Sequence, residues 1–227
     1  FMSRLRPVLL VVLLLIIAVA AYFWWQSRQS DAPALALCPG PDGYGYACES
    51  GAGFAYIDAT TDTGLYEDDG TIALPIPFPF TFYGTTYTSL NASSNGNIQF
   101  GSGNPAFANS CLYPRPAAGM GDLIAPYWDD LTLTFAGFLE YAIVGQAPNR
   151  IMVVEWDSVP RFGNDEDVVT FEVQLFEGSN DIAFLYEDSS SFEGNHGSSA
   201  TIGLQSELQA MTLQYGCDQP EIGRAHV

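Results

Sequence analysis

Acidic side chains carry the clearest chemical potential in this sequence, because they gather in three short clusters along the chain. Each cluster offers the carboxylate oxygens that Ca²⁺ prefers as ligands. None has the alternating acidic spacing of an EF-hand loop, so solvated acids in turns are the competing interpretation. The calcium candidates, in chain order, are Asp68, Asp69, Asp129, Asp130, Asp165 and Asp167.

Two carboxyl groups side by side could instead act as general acid and general base, as in glycoside hydrolases. Glu155 and Asp157 alternate along a predicted strand and would project from the same face. With 26 acidic residues in the chain, however, some pair lies close by chance. The sequence has no GxSxG, HExxH or GxGxxG motif, and it lacks the lysine that a P-loop requires. It therefore predicts no catalytic or cofactor-binding residues.

Four cysteines lie in the part of the chain that follows the N-terminal apolar segment. An even number in an oxidising compartment predicts two disulfides, for which three pairings are possible. Cys38 and Cys48 flank a short Pro- and Gly-rich stretch that suits a local loop, which leaves Cys111 to pair with Cys217. A zinc site or a catalytic triad would need His196, and that residue lies in a Gly-, Ser- and Asn-rich stretch typical of an exposed loop.

The first 30 residues indicate the compartment. An apolar run of 18 residues (8–25) follows Arg4 and Arg6, long enough for a transmembrane helix of about 27 Å at about 1.5 Å per residue. The basic residues place the N-terminus in the cytoplasm and the remainder outside. The alternative is a signal peptide cleaved near residues 18–20. In both interpretations the rest of the chain is exported, and in the first the membrane is a partner through this helix.

The remaining chain divides into three parts. Residues 31–53 form a linker that contains the Cys38–Cys48 loop, and residues 54–221 are expected to fold as one domain. Residues 222–227, with the sequence IGRAHV, match one translated frame of a common sequencing adapter. We interpret them as an artefact and leave them out of the fold prediction.

The exported part is strongly acidic. Residues 31–221 contain all 26 acidic residues and only three arginines, a formal charge of −23. Such a surface repels nucleic acid and anionic lipid headgroups, and it has no basic stripe to offset this. It can attract cations or basic partners, although an acidic surface also serves simply to keep a secreted protein soluble.

Hydrophobic periodicity predicts strands throughout the exported part. In residues 169–176 apolar side chains alternate with Thr170, Glu172 and Gln174, which predicts one buried and one wet face. Residues 150–156 alternate similarly, and a hairpin turn is expected at 177–181. Further candidate strands are residues 54–58, 78–83, 87–90, 97–100, 138–144, 182–186, 200–205 and 212–215. About ten short strands predict an all-β fold, a two-sheet antiparallel β-sandwich with jelly-roll-like connectivity.

Several local features refine this prediction. Pro75, Pro77 and Pro79 remove alternate backbone donors, so their segment can pair on one side only, as an edge strand. Asn95-Gly96 is expected to supply the positive φ angles of a tight turn. Trp128 and Trp156 are predicted core aromatics, with a sugar-stacking platform as the alternative for any exposed tryptophan.

A series of short blocks begins with PIPFPFTFYG at residues 75–84, followed by Tyr87 and SSNGNIQFG at residues 93–101. These residues resemble the opening block of nidogen-like extracellular domains and their relatives in bacterial surface proteins. IAPYWDDL at residues 124–131 resembles the next block of the bacterial relatives. Residues 147–156, 171–178 and 200–205 resemble the central and closing strands. The resemblance implies a β-sandwich interaction module of surface and matrix proteins, with no catalytic residues.

These observations favour a non-catalytic binding or adhesion module, anchored at the cell surface or secreted, with an extracellular protein or carbohydrate as ligand. Two alternatives remain: a carbohydrate-active hydrolase with a carboxylate pair, and a structural spacer in a larger surface protein. A pocket that holds two acids beside an aromatic ring would favour the hydrolase. A sandwich with scattered acids would favour the binding module.

Overall fold

The computed structural model describes residues 35–51, 53–188 and 197–219. Within these ranges all named secondary-structure elements are β-strands. The strands form a seven-stranded and a five-stranded sheet, and residues of both sheets contribute to the main hydrophobic core. In chain order they are β1 (Leu35–Leu37), β2 (Thr61–Asp62), β3 (Thr71–Phe82), β4 (Thr85–Ser93), β5 (Asn97–Phe100), β6 (Asp122–Trp128), β7 (Phe138–Val144), β8 (Ile151–Arg161), β9 (Asn164–Phe176), β10 (Ile182–Asp188), β11 (Thr201–Ser206) and β12 (Met211–Cys217).

Two runs of consecutive strands form meanders, one in each sheet. Strands β3 to β6 run side by side in the seven-stranded sheet, β7 to β10 do so in the five-stranded sheet, and β11 and β12 return to the first. The predicted all-β architecture of two antiparallel sheets is confirmed, with one parallel pair, β1 with β12. The predicted jelly-roll-like connectivity is wrong. A jelly roll needs Greek-key connections, whereas here successive strands from β3 to β6 and from β7 to β10 are hydrogen-bonded to each other.

The proline-rich strand β3 lies at an edge, as its sequence predicted. It pairs only with β4 in the seven-stranded sheet, and the pairing register shifts between Pro75 and Phe80. Proline has no N–H to donate to a second neighbour, so the open side of this strand costs no hydrogen bond at those positions. Phe80 and Phe82 still point inward and are fully buried.

The core between the sheets is aromatic. The ring of Phe171 on β9 stacks on Trp156 of β8, with centroids 4.9 Å apart, and on Tyr127 of β6 at 5.2 Å. The indole N–H of Trp156 donates to the carbonyl of Ser93 at 2.9 Å, which satisfies its one polar atom in the core. Trp156 is therefore a core residue, as predicted.

A second hydrophobic cluster forms around Trp128, on the opposite face of β6 from the main core. Leu112, Ala117 and Met120 from the β5–β6 connection cover this face, and the Trp128 indole donates to the carbonyl of Ala106 at 2.8 Å. Trp128 is buried, as predicted, so neither tryptophan in the described part of the chain offers an exposed face for sugar stacking.

Three local predictions differ from the structure. Residues 54–58 form no strand but an extended segment outside both sheets. The strand predicted at residues 169–176 begins earlier, because residues 164–167 already belong to β9, where Asn164 pairs with Arg161 of β8. At the β4–β5 turn only Gly96 has a positive φ, of 70°. A Cβ on Gly96 would also collide with the carbonyl oxygen of Tyr127, so this position requires glycine for two independent reasons.

The predicted N-terminal helix, residues 1–30, lies outside the described residues. Within the residues that are described, no helix has the length and apolarity needed to cross a bilayer.

Both disulfides are formed in the pairing that the spacing predicted. Cys38–Cys48 closes a local loop with a sequence separation of 10, while Cys111–Cys217 joins the long β5–β6 connection to β12 across a separation of 106. The long-range disulfide fixes the segment that covers Trp128 to the end of the last strand.

We predict that replacing Cys111 and Cys217 by serine lowers the free energy of unfolding by about 2–5 kcal/mol, because the loss releases a long loop in the unfolded chain. The Cys38→Ser/Cys48→Ser variant, whose loop is short, is the matched control and should lose less. Urea denaturation of the three proteins checks this order. Equal stabilities for the wild type and the Cys111→Ser/Cys217→Ser variant would contradict it.

Candidate functional site

The predicted calcium candidates come from distant parts of the chain but largely meet at one end of the sandwich. Asp68 and Asp69 precede β3, Asp129 and Asp130 follow β6, and Asp167 lies near the start of β9. Their meeting point is marked by Asp130, whose pKa is raised by burial and then by the charges of Asp68, Asp69 and Asp129. The sixth candidate, Asp165, is exposed at the beginning of β9.

Arg161, at the end of β8, lies within this acidic cluster. Its Nε is 3.4 Å from Oδ2 of Asp129 and its guanidinium donates to Oδ2 of Asp167 at 3.3 Å. Both carboxylates are nearly buried, and Asp129 also accepts a hydrogen bond from Ser199 at 2.7 Å. The arginine thus compensates the two most buried acids of the cluster.

Asn95, in the turn between β4 and β5, connects this cluster to the rest of the fold. Its carboxamide nitrogen donates to Oδ1 of Asp69 and to the carbonyl of Pro105, at 2.9 and 3.1 Å. Its carboxamide oxygen accepts the backbone N–H of Leu131 at 2.9 Å. One fully buried side chain therefore joins three loops that flank the acids.

The geometry within the cluster is that of an arginine-centred ion network. Among the described residues, the group of three metal-ligating side chains that lie close enough to share an ion is Cys111, Cys217 and Asp218. The two cysteines form a disulfide and cannot ligate. Calcium binding by the acids therefore stays a prediction from the sequence.

A different pair of carboxyl groups lies on the five-stranded sheet. Glu155 of β8 and Glu172 of β9 are direct cross-strand partners, and their exposed fractions are 4% and 0%. They lie on the face of the sheet away from the main core, where the alternation predicted contact with water. That prediction is wrong, because an extended segment, residues 54–59, covers this face. We call this segment the strap.

The backbone of the strap is hydrogen-bonded by side chains of the sheet and not by the backbone of a neighbouring strand. The backbone N–H of Ile57 donates to Glu172 at 3.1 Å and that of Ala59 donates to Glu155 at 2.6 Å. The carboxamide of Gln174 donates to the carbonyl of Ala55 at 2.8 Å. Alternate backbone groups of the strap are thus paired with alternate side chains of β8 and β9, as buried backbone groups require.

Tyr56 of the strap completes this arrangement, since its hydroxyl donates to Oε1 of Glu155 at 2.7 Å. Burial raises the pKa of Glu172 to about 8, against the hydrogen bonds from Gln174 and Ile57 that lower it. Burial likewise raises the pKa of Glu155. At neutral pH the Glu172 carboxyl is therefore largely protonated, which avoids two facing negative charges in one dry site.

Glu155 and Asp157, the carboxyl pair considered as the alternative for acid–base chemistry, are not open together to a substrate in this structure. Both carboxylate oxygens of Glu155 are engaged by the strap, through Tyr56 and Ala59. Two acids and an aromatic ring are present, but the strap occupies the space that a substrate would need. His196, the other group considered for chemistry, lies outside the described residues.

An open cleft of about 280 Å³ lies elsewhere, between β10 and the pair β11 and β12, beside the Cys38–Cys48 loop. Its lining includes four aromatic rings, those of Tyr46, Phe54, Phe184 and Tyr215. Phe54 reaches it from the beginning of the strap and packs on Phe176 with ring centroids 5.0 Å apart. This site was not predicted from the sequence, because its residues come from five separate segments and carry no shared motif.

The sequence model described as NIDO related matches residues 43–226. The chain belongs to the NIDO-related family. No curated protein and no solved structure matches it significantly.

The structure explains why the motif SSNG, by which the sequence resembles nidogen-like domains, has these residues. Ser94 bonds to the backbone of Gly70, Asn95 joins the flanking loops, and Gly96 allows the close approach of Tyr127. Ser93, Ser94, Asn95 and Asn97 are all fully buried. In this member of the NIDO-related family the motif is therefore a buried structural element and not a ligand-binding surface.

We predict that Glu172→Gln removes much of the pH dependence of stability between about pH 5 and pH 8. The folded protein keeps a proton on Glu172 up to about pH 8, whereas the unfolded chain releases it near the ordinary value of 4.5. The contribution of Glu172 to the free energy of unfolding is thus fully present below pH 4.5. It decreases above that pH and is lost as the pH rises through about 8. Glutamine keeps the acceptor for Ile57 without the charge.

Thermal melting monitored by circular dichroism across this pH range tests the prediction. The wild type should lose melting temperature toward pH 8, and Glu172→Gln should lose less. Asp165→Asn, which changes an exposed acid on the same strand, should behave as the wild type does. The same decline in all three proteins would contradict the role given to Glu172.

We also predict that Asn95→Ala destabilises the fold by about 3 kcal/mol, because it leaves the buried N–H of Leu131 without a partner. Asn164→Ala, at an exposed position, is the control and should change the free energy of unfolding by less than about 0.5 kcal/mol. Urea denaturation measures both values. Similar small effects for the two variants would show that the hub at Asn95 is dispensable.

Proposed function

We propose that this chain is an extracytoplasmic, non-catalytic binding module that takes its ligand in the cleft beside the Cys38–Cys48 loop. The observation that carries the proposal is the contrast between two sites. The acid pair Glu155 and Glu172 is sealed by the strap, while the cleft is open and lined by aromatic rings. Open, largely preformed concave sites with a few polar groups are the usual form of a binding site.

Family and covalent chemistry support the location. A NIDO-related domain with two disulfides is typical of an oxidising, extracellular setting. The apolar segment at residues 8–25 would hold the domain at the outer side of a membrane. It would do so permanently as an uncleaved anchor, or until cleavage as a signal peptide. In this arrangement the domain acts in adhesion or ligand capture at the cell surface.

The cleft is built on rigid parts of the fold. Leu204 and Leu213, from the paired strands β11 and β12, form part of its lining, and the disulfide at Cys48 fixes its rim. A site held by strands and a disulfide loses little conformational entropy when it binds a ligand, which favours binding. A purely structural spacer would have no need of such a recess.

Binding of the labelled full-length chain to an array of oligosaccharides and synthetic peptides tests the proposal. We expect at least one class of array ligand to bind, and Tyr215→Ala to abolish or strongly weaken that binding. Phe135→Ala, which removes an aromatic ring that is 78% exposed and does not line the cleft, should bind normally. No binding to any class, or equal binding by both variants, would contradict the proposal.

A further inference from the structure

The lining of the cleft has a definite electrostatic character. Besides its aromatic rings it has two carboxylates, Glu49 and Asp181, both on exposed residues at the rim. Among the described residues that line it, none is arginine, lysine or histidine. The negative charge at the cleft therefore has no positive partner within its own lining.

The three arginines of the described part of the chain lie outside the cleft lining: Arg115 is exposed in the β5–β6 connection, and the other two are paired with acids. Arg150 is held by Glu177, with which it forms a 2.6 Å ion pair, and Arg161 lies between Asp129 and Asp167. The chain contains no lysine, and residues 31–221 have a formal charge of −23. The potential around the cleft thus attracts positively charged groups, most strongly at low ionic strength.

Aromatic rings and carboxylates together form a recognised environment for organic cations. A guanidinium or ammonium group binds over the face of an aromatic ring, and a carboxylate adds a charge-assisted hydrogen bond. The half-buried rings of Tyr46, Phe54 and Tyr215 line the cleft above a buried floor that includes Phe184. The apolar stem of a long basic side chain could pack on these rings while its charged head meets the rim.

The size of the cleft limits the ligand further. Its volume of about 280 Å³ lies just below the range of about 300–1,000 Å³ for small-molecule pockets. It suits one long side chain better than several units of an oligosaccharide. A neutral sugar would also leave the two rim carboxylates without a charged partner.

We propose that the cleft binds an arginine or lysine side chain presented by a basic peptide segment of an extracellular partner. This inference rests on the proposed function, because it names the ligand class of the same cleft. The aromatic rings provide the contact area, Glu49 and Asp181 provide the charge selectivity, and the acidic surface speeds encounter with a basic partner.

The test uses the full-length chain and a synthetic Gly-Ser peptide with one central arginine. The matched peptide replaces arginine by citrulline, which has nearly the same shape and no charge. By isothermal titration calorimetry, the arginine peptide should bind about tenfold more tightly than the citrulline peptide. Raising the salt concentration should weaken only the binding of the arginine peptide.

Variants locate the binding. Glu49→Gln and Asp181→Asn should each weaken binding of the arginine peptide several-fold, and Tyr215→Ala should weaken both peptides. Asp62→Asn, which removes an exposed acid outside the cleft, is the matched control and should leave binding unchanged. Equal affinity for the two peptides, or binding that the cleft variants do not alter, would overturn the inference.

The outcome also separates this inference from the proposed function. If a neutral oligosaccharide binds and Tyr215→Ala abolishes that binding, the cleft is a binding site and the inference of a cationic ligand is wrong. If neither peptides nor oligosaccharides bind at the cleft, both proposals fail.

Discussion

The contact between the strap and the polar face of the five-stranded sheet is the interaction on which the functional account depends. Glu155, Glu172 and Gln174 place hydrogen-bonding groups where the strap needs partners for its backbone. A buried carboxyl group without partners would cost several kcal/mol, so strap and acids stabilise each other. Because of this contact, the polar side chains on the outer face of the five-stranded sheet are buried under the strap.

The strap also relates the two candidate sites. It closes the carboxyl pair against substrate and, at its beginning, brings Phe54 to the edge of the open cleft. The sheet face that could have carried acid–base chemistry is therefore used for structure, and the proposed binding site is the open cleft beside the Cys38–Cys48 loop. At the other end of the sandwich, Arg161 and Asn95 similarly bind acids into the fold.

The parts predicted from sequence are those fixed by local chemistry. Alternation on β8 and β9, the prolines of β3, the turn at Gly96 and the cysteine spacing each depend on near neighbours in the chain. Alternation shows that Glu172 faces away from the core, but it cannot show that residues more than 100 positions earlier cover it. The cleft and the meeting of the acidic clusters likewise depend on long-range packing, and the meander order depends on which strands pair.

Hydrogen exchange of the backbone amides of Ile57 and Ala59, measured by NMR at about pH 6, tests the strap most directly. Both amides donate to buried carboxyl groups, so the account predicts that they exchange as slowly as amides inside β8 and β9. Exchange as fast as that of exposed loop amides would contradict it, because the acid pair would then be open to water and to substrates.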